Sequence, residues 1–187
     1  MLRVLVGDGR SQDDDRLDVR PDRARDSMVL TLSGATLVDR EPDWVFRRLH
    51  DPETLLSCVP GGSLTRLIGP GRFEAQIVLG AGPFKFNYSG TGRIVDSDPQ
   101  ARTASMTLDA HPASNLPDIR IRMAMAVHPH ARGSEIRMSF RVVVADRTGL
   151  LARTWVDPVA CELLDRTIRR VKQRLEDSPL APSPTAA

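Results

Sequence analysis

From Arg72 to Val144 the chain reads as a series of long strands whose alternate residues are apolar, and the apolar set holds no carboxylate, histidine or lysine. The runs are Phe73, Ala75, Ile77, Leu79; Phe84, Phe86, Tyr88; Ala104, Met106, Leu108; Ile119, Ile121, Met123, Met125, Val127; and Ile136, Met138, Phe140, Val142, Val144. Successive side chains of a strand point to opposite faces, so a period of two means a sheet with one buried face. The residues between them, among them Arg72, Glu74, Gln76, Lys85, Asn87, Thr107, Arg120, Arg122, Arg137 and Arg141, mark the other face as solvated. Strands are predicted over 28–38, 64–68, 72–80, 83–95, 102–110, 119–128 and 134–145. Short glycine- and proline-rich connections, such as Gly69-Pro70-Gly71, require consecutive strands to run antiparallel.

Helices fill the remaining space. Glu41 to Leu49 reads as a short helix with proline in its first turn, and Asp51-Pro52-Glu53 opens a second, with an aspartate able to accept from free amides and a proline where no amide partner is lost. Pro60-Gly61-Gly62 ends the second. Between Arg147 and Asp177 lies an amphipathic helix about 28 Å long at the usual helical rise. Leu164, Ile168, Val171 and Leu175 share one stripe, and Asp157-Pro158 marks either a second start or a kink. The fold class is therefore α+β: a curved seven-stranded antiparallel sheet, two short helices, and a long C-terminal helix closing a cavity.

The chain has 187 residues, 41% hydrophobic and 27% charged, enough for one core. Residues 1–27 alternate arginine and aspartate with almost nothing apolar after Val6, which predicts a disordered extension. The domain is expected over 28–177 and a disordered tail over 178–187. With a net charge of +2 and both signs interspersed, nothing calls for nucleic acid. No run of apolar residues is long enough for a spanning helix, and a cytoplasmic protein is expected. Cys58 and Cys161 lack metal-type spacing, and His128-Pro129-His130 offers two imidazoles without a third ligand, so no metal site is assigned.

The chemistry that remains is that of a container. The cavity is expected to be lined by Phe73, Ile77, Phe84, Phe86, Tyr88, Met106, Leu108, Met123, Met125, Met138 and Phe140, with Leu164 and Ile168 from the last helix. Four inward methionines suit irregular apolar ligands, because an unbranched thioether adapts its shape. Tyr88 alone carries a polar tip inward; its hydroxyl either meets a ligand or finds a backbone carbonyl. The entrance is expected near Val45, Leu49 and Leu55 of the short helices and Leu151 and Trp155 ahead of the last one. No catalytic residue is assigned; an enzyme would need His50, Asp109, Tyr88 or an inward-turned arginine to converge. The basic cluster Arg166, Arg169, Arg170, Lys172 and Arg174 suggests peripheral membrane contact, although Glu162 and Asp165 stand four residues before Arg166 and Arg169.

The order of elements resembles the helix-grip fold of the START-like (SRPBCC) superfamily. Asp51-Pro52-Glu53, Cys58-Val59-Pro60-Gly61 and Gly82-Pro83-Phe84-Lys85, followed by Tyr88 and Gly90, are similar to the carbon monoxide dehydrogenase G-subunit family. The resemblance covers about Leu30 to Leu175. It departs where Phe46 stands at a position often held by tryptophan, with Trp44 displaced by two. What it implies is a non-catalytic accessory protein of a molybdenum hydroxylase, binding a lipid or quinone such as menaquinone or another isoprenoid lipid, with no covalent cofactor. It also implies contact with the inner face of the membrane. A polyketide cyclase or aromatase of the same superfamily, and a ligand-free docking module, are the alternatives.

Overall fold

The structure is a computed structural model that describes residues 3–6, 27–81, 84–113, 116–145 and 152–178. Its elements run β1 (Arg3–Val6), β2 (Ser27–Val38), α1 (Pro42–His50), α2 (Pro52–Cys58), β3 (Gly62–Gly69), β4 (Arg72–Ala81) and β5 (Phe84–Asp98). They continue with β6 (Thr103–Pro112), β7 (Ile119–His130), β8 (Gly133–Ala145) and α3 (Ala152–Asp177). One antiparallel sheet has the order β1-β2-β8-β7-β6-β5-β4-β3. Strands β3 to β8 form the meander expected from their short connections, and β2 returns beside β8 over its whole length, from Ser27 opposite Ala145 to Val38 opposite Ser134.

Two elements differ from the sequence expectation. Arg3–Val6, inside the segment assigned to a disordered extension, forms an eighth strand on β2, with Arg3 opposite Ser33 and Val6 opposite Leu30. The run Arg-Val-Leu-Val has the β-branched content of a strand, but an exposed edge of β2 is needed to use it. Helix α3 runs unbroken through Pro158, which neither starts nor divides it, and its 26 residues span about 39 Å.

Both short helices begin as their sequences require. Glu41 accepts from the amides of Asp43 and Trp44, each at 3.0 Å. Asp51 accepts from the Thr54 amide at 2.9 Å and from its hydroxyl at 2.7 Å. Phe46 is in the core, whereas Trp44 is half-buried with the Arg40 and Arg48 guanidiniums over its ring. Arg40 also donates to the carbonyls of Glu176 and Ser178, which places a cation on the unsatisfied end of α3. Lys172 Nζ donates to the Leu37 carbonyl at 3.0 Å, so the last turns of α3 are tied to the end of β2.

Candidate ligand-binding face

Cross-strand register puts the alternating apolar residues on one face. Phe73 lies opposite Gly92, and Ile77 opposite Tyr88. Met106 lies opposite Met123, Met123 opposite Phe140, and Met125 opposite Met138. Gly92 is where the fold needs no side chain, since a Cβ there would overlap the Phe73 ring. At Gly90 a Cβ would run into the Asp109 carbonyl of β6, so the neighbouring strand rather than a helix makes the close approach.

Burial along this face is graded. At one end Phe46 and Leu49 of α1, Leu55, Leu56 and Cys58 of α2, and Val171 and Leu175 of α3 join Phe73, Ala75, Val127 and Ile136 in a closed floor. At the other end Leu79, Phe86, Ile119, Ile121 and Phe140 are only half-buried. Leu30, Leu32, Val144 and Leu164 are buried but stand outside the contiguous cluster. This half-buried end, called the mouth below, lies beside the β4–β5, β6–β7 and β8–α3 connections.

Of the residues expected to line a cavity, Phe73, Ile77, Tyr88, Met106, Leu108, Met123, Met125 and Met138 share the inward face and are buried. Phe86 and Phe140 share it at the mouth, Leu164 is buried on α3, and Ile168 is half-buried. Phe84 and Trp155 lie in described backbone with side chains outside the described set, and Leu151 lies outside the described residues. The expected entrance at the short helices is corrected: Val45 and Leu49 are 0% exposed and Leu55 is 3% exposed, so all three belong to the floor. Sequence periodicity gives Leu79, Ile119 and Ile121 as inward but carries no sign that they sit at the open end, because that depends on where α1 and α2 dock.

Tyr88 stands where floor gives way to mouth. Its hydroxyl donates to the Pro117 carbonyl at 3.4 Å, the long limit of a hydrogen bond, so the partner is a backbone group held loosely. Burial, with a smaller contribution from the Asp118 carboxylate, raises its pKa above the usual 10.0. The other ionisable candidates do not join it. Asp109 lies on the outer face paired with Arg120, and His50 Nε2 is buried without a partner at the end of α1, its ring 5.6 Å from that of Phe46. No hydrogen bond among the described residues links any two of the three.

On α3, Arg166 pairs with Glu162 and Arg169 with Asp165, while Lys172 lies 3.4 Å from Glu176. Of the five cations thought to meet a membrane, only Arg170 and Arg174 lack a counter-charge among the described residues. No helix among those residues is long and apolar enough to cross a membrane. No three of their histidines, cysteines or carboxylates converge as metal ligands would.

A bent antiparallel sheet whose apolar face is closed by a C-terminal helix defines the helix-grip class. A protein from Geobacillus kaustophilus described as conserved has this fold, with a TM-score of 0.65 and 17% identity over 78% of this chain and 95% of its own. The Zhui aromatase/cyclase from Streptomyces superposes with a TM-score of 0.59 at 11% identity, covering 79% of this chain and 94% of its own. A Thermus thermophilus protein gives a TM-score of 0.56 at 15% identity, covering 78% and 96%. At such identities these likenesses show the fold alone. None of the curated proteins matches the sequence. The profile of the carbon monoxide dehydrogenase G-subunit family (CoxG) matches residues 34–176, and the chain belongs to that family.

Proposed function

We propose that the protein is a non-catalytic accessory of a molybdenum-containing dehydrogenase of the carbon monoxide dehydrogenase type. In this reading it holds a long apolar ligand, menaquinone or another isoprenoid lipid, between the inward sheet face and α3. The observation that carries it is the inward face itself: aromatic, methionine and aliphatic side chains in cross-strand register, sealed at one end and half-exposed at the other. Such a face rewards an apolar body. The Tyr88 hydroxyl, loosely held, supplies a donor for a quinone carbonyl or a headgroup. Family membership supports the accessory role and the kind of partner.

A cyclase-type enzyme is the rival, favoured by the likeness in fold to the Zhui aromatase/cyclase. It would need acid and base groups acting together on the inward face, and Asp109 faces the other way. Organic extraction of the purified full chain followed by mass spectrometry is expected to yield an isoprenoid quinone or lipid. Added menaquinone should bind to extracted protein. An extract without lipid, together with no binding of menaquinone, overturns the proposal.

A further inference from the structure

The outer face of the sheet carries an arrangement that the ligand reading does not use. Register places Arg72 of β4 opposite Arg93 of β5, Arg93 opposite Thr107 of β6, Thr107 opposite Arg122 of β7, and Arg122 opposite Arg141 of β8. Four guanidiniums thus stand in one row across five strands, about 19 Å from end to end at the usual strand spacing. All four are exposed, and none makes an ion pair among the described residues. The neighbouring cations differ: Arg66 pairs with Glu74, Arg120 with Asp109 and Arg137 with Glu135. Like charges directly opposite one another disfavour a sheet, so Arg122 beside Arg141 is costly unless an anion comes between them.

Beside this row runs a second, of small residues: Ser33 opposite Ser139, Ser139 opposite Ala124, Ala124 opposite Ser105, and Ser105 opposite Asp96. Asp96 reaches the outer face because the bulge between Ile94 and Asp96 shifts the alternation by one. The small side chains leave a trough of about 530 Å³. It runs between that small-residue row and the next, of Ala35, Arg137, Ala126 and Thr103, so the four arginines stand on the other side of the small residues from it.

We propose that this strip docks an extended acidic segment of a partner protein, its backbone over the small-residue row and its carboxylates on Arg141, Arg122, Arg93 and Arg72. Planar guanidiniums match carboxylates two bonds at a time. The row is one residue wide and runs between rows that hold Asp109 and Glu74 on one side and Asp96 on the other. Glu74 and Asp109 are held by Arg66 and Arg120, but Asp96 has no cation partner among the described residues and would be pressed against an anionic bilayer, whereas a single extended chain can pass beside it. A chain of about six residues spans the row.

The acidic segment and the apolar ligand use opposite faces of the sheet and are tested separately. A fluorescein-labelled oligoglutamate of about six residues is titrated against the full chain by anisotropy, in parallel with vesicles of phosphatidylglycerol and phosphatidylcholine. Binding of the peptide is expected, lost in about 0.5 M salt. It should weaken by about tenfold or more in Arg122→Gln/Arg141→Gln, and likewise in Arg72→Gln/Arg93→Gln, but not in Arg166→Gln/Arg169→Gln. Both outer-face variants should keep the parent's circular dichroism, since they relieve repulsion. No binding of the peptide, or binding indifferent to all four arginines, overturns the proposal. Vesicle binding that needs these arginines, with no peptide binding, overturns it in favour of a membrane surface.

Discussion

The floor and the mouth of the inward face should respond differently to the same kind of truncation. Leu49 is 0% exposed and packs in the closed cluster beneath α1 and α2, so Leu49→Ala removes three carbons from a site that cannot collapse. Buried leucine truncations cost about 3–5 kcal/mol when the neighbours stay in place. Phe140 and Ile121 are half-buried at the mouth, where water already reaches part of each side chain. Truncating them opens no closed void, and the loss is confined to the buried part of the side chain, about 1–2 kcal/mol. For urea denaturation followed by circular dichroism, with a slope of about 2 kcal/mol/M, Leu49→Ala should lower the midpoint by about 1.5 M or more. Phe140→Ala and Ile121→Ala should each lower it by less than about 1 M on the same slope. Equal shifts for floor and mouth would show that the inward face is a uniformly packed core and would refute the graded reading.

Three further outcomes follow from particular contacts. Gly92→Val places a side chain where the Phe73 ring lies and should cost about 1–3 kcal/mol; combined with Phe73→Ala the loss should fall short of the sum, read from a double-mutant cycle. Tyr88 is the chain's single tyrosine, so the ultraviolet absorbance of its phenolate titrates one group, and the native midpoint should lie above 10.0. A phenol whose folded pKa is raised contributes stability below its unfolded pKa and loses it as pH rises through the folded value; stability should therefore fall above the usual tyrosine pKa, and less so in Tyr88→Phe. Burial pushes the Cys58 thiol up, against smaller opposing effects from Ser57, Arg174 and Arg170, so a thiol reagent should modify half-exposed Cys161 in the native protein and Cys58 only after unfolding.

Which face each strand residue takes was legible because strand alternation is a local property: from Phe73 to Val144 the residues of the inward list fall on one face by register, although the list lacks Ile94 and Ala110, which share that face. The Asp51 cap was legible for the same reason, since Asp51-Pro52 acts within one helical turn, whereas Glu41, read as the first helical residue, proves to be a cap as well. What failed needed partners distant in the chain. Val45, Leu49 and Leu55 read as an entrance because short helices beside a sheet look loosely held, yet α1 and α2 pack on each other and on the sheet and bury all three in the core cluster. Arg3–Val6 could not be read as a strand without knowing that β2 lies beside it with an edge free. The arginine row was invisible as well, because Arg72, Arg93, Arg122 and Arg141 are spread over 70 positions and meet only through the register of five strands.

That register also separates the two proposals physically. The mouth residues belong to the inward face, while the arginine row and the trough lie on the opposite side of the same sheet, with a layer of backbone between them. A partner seated on the row leaves Leu79, Phe86 and Phe140 uncovered, so docking and ligand exchange need not compete. Arg122→Gln/Arg141→Gln should therefore lose the acidic peptide and keep the parent's yield of extracted lipid. Met123, next to Arg122 in the chain but facing inward, is where coupling would show, since it touches neither the peptide nor the solvent. Met123→Leu preserves volume and should leave peptide binding unchanged. If the arginine variant loses lipid and peptide together while its circular dichroism is unchanged, the two faces act as one site, and their separation by the sheet is the wrong account.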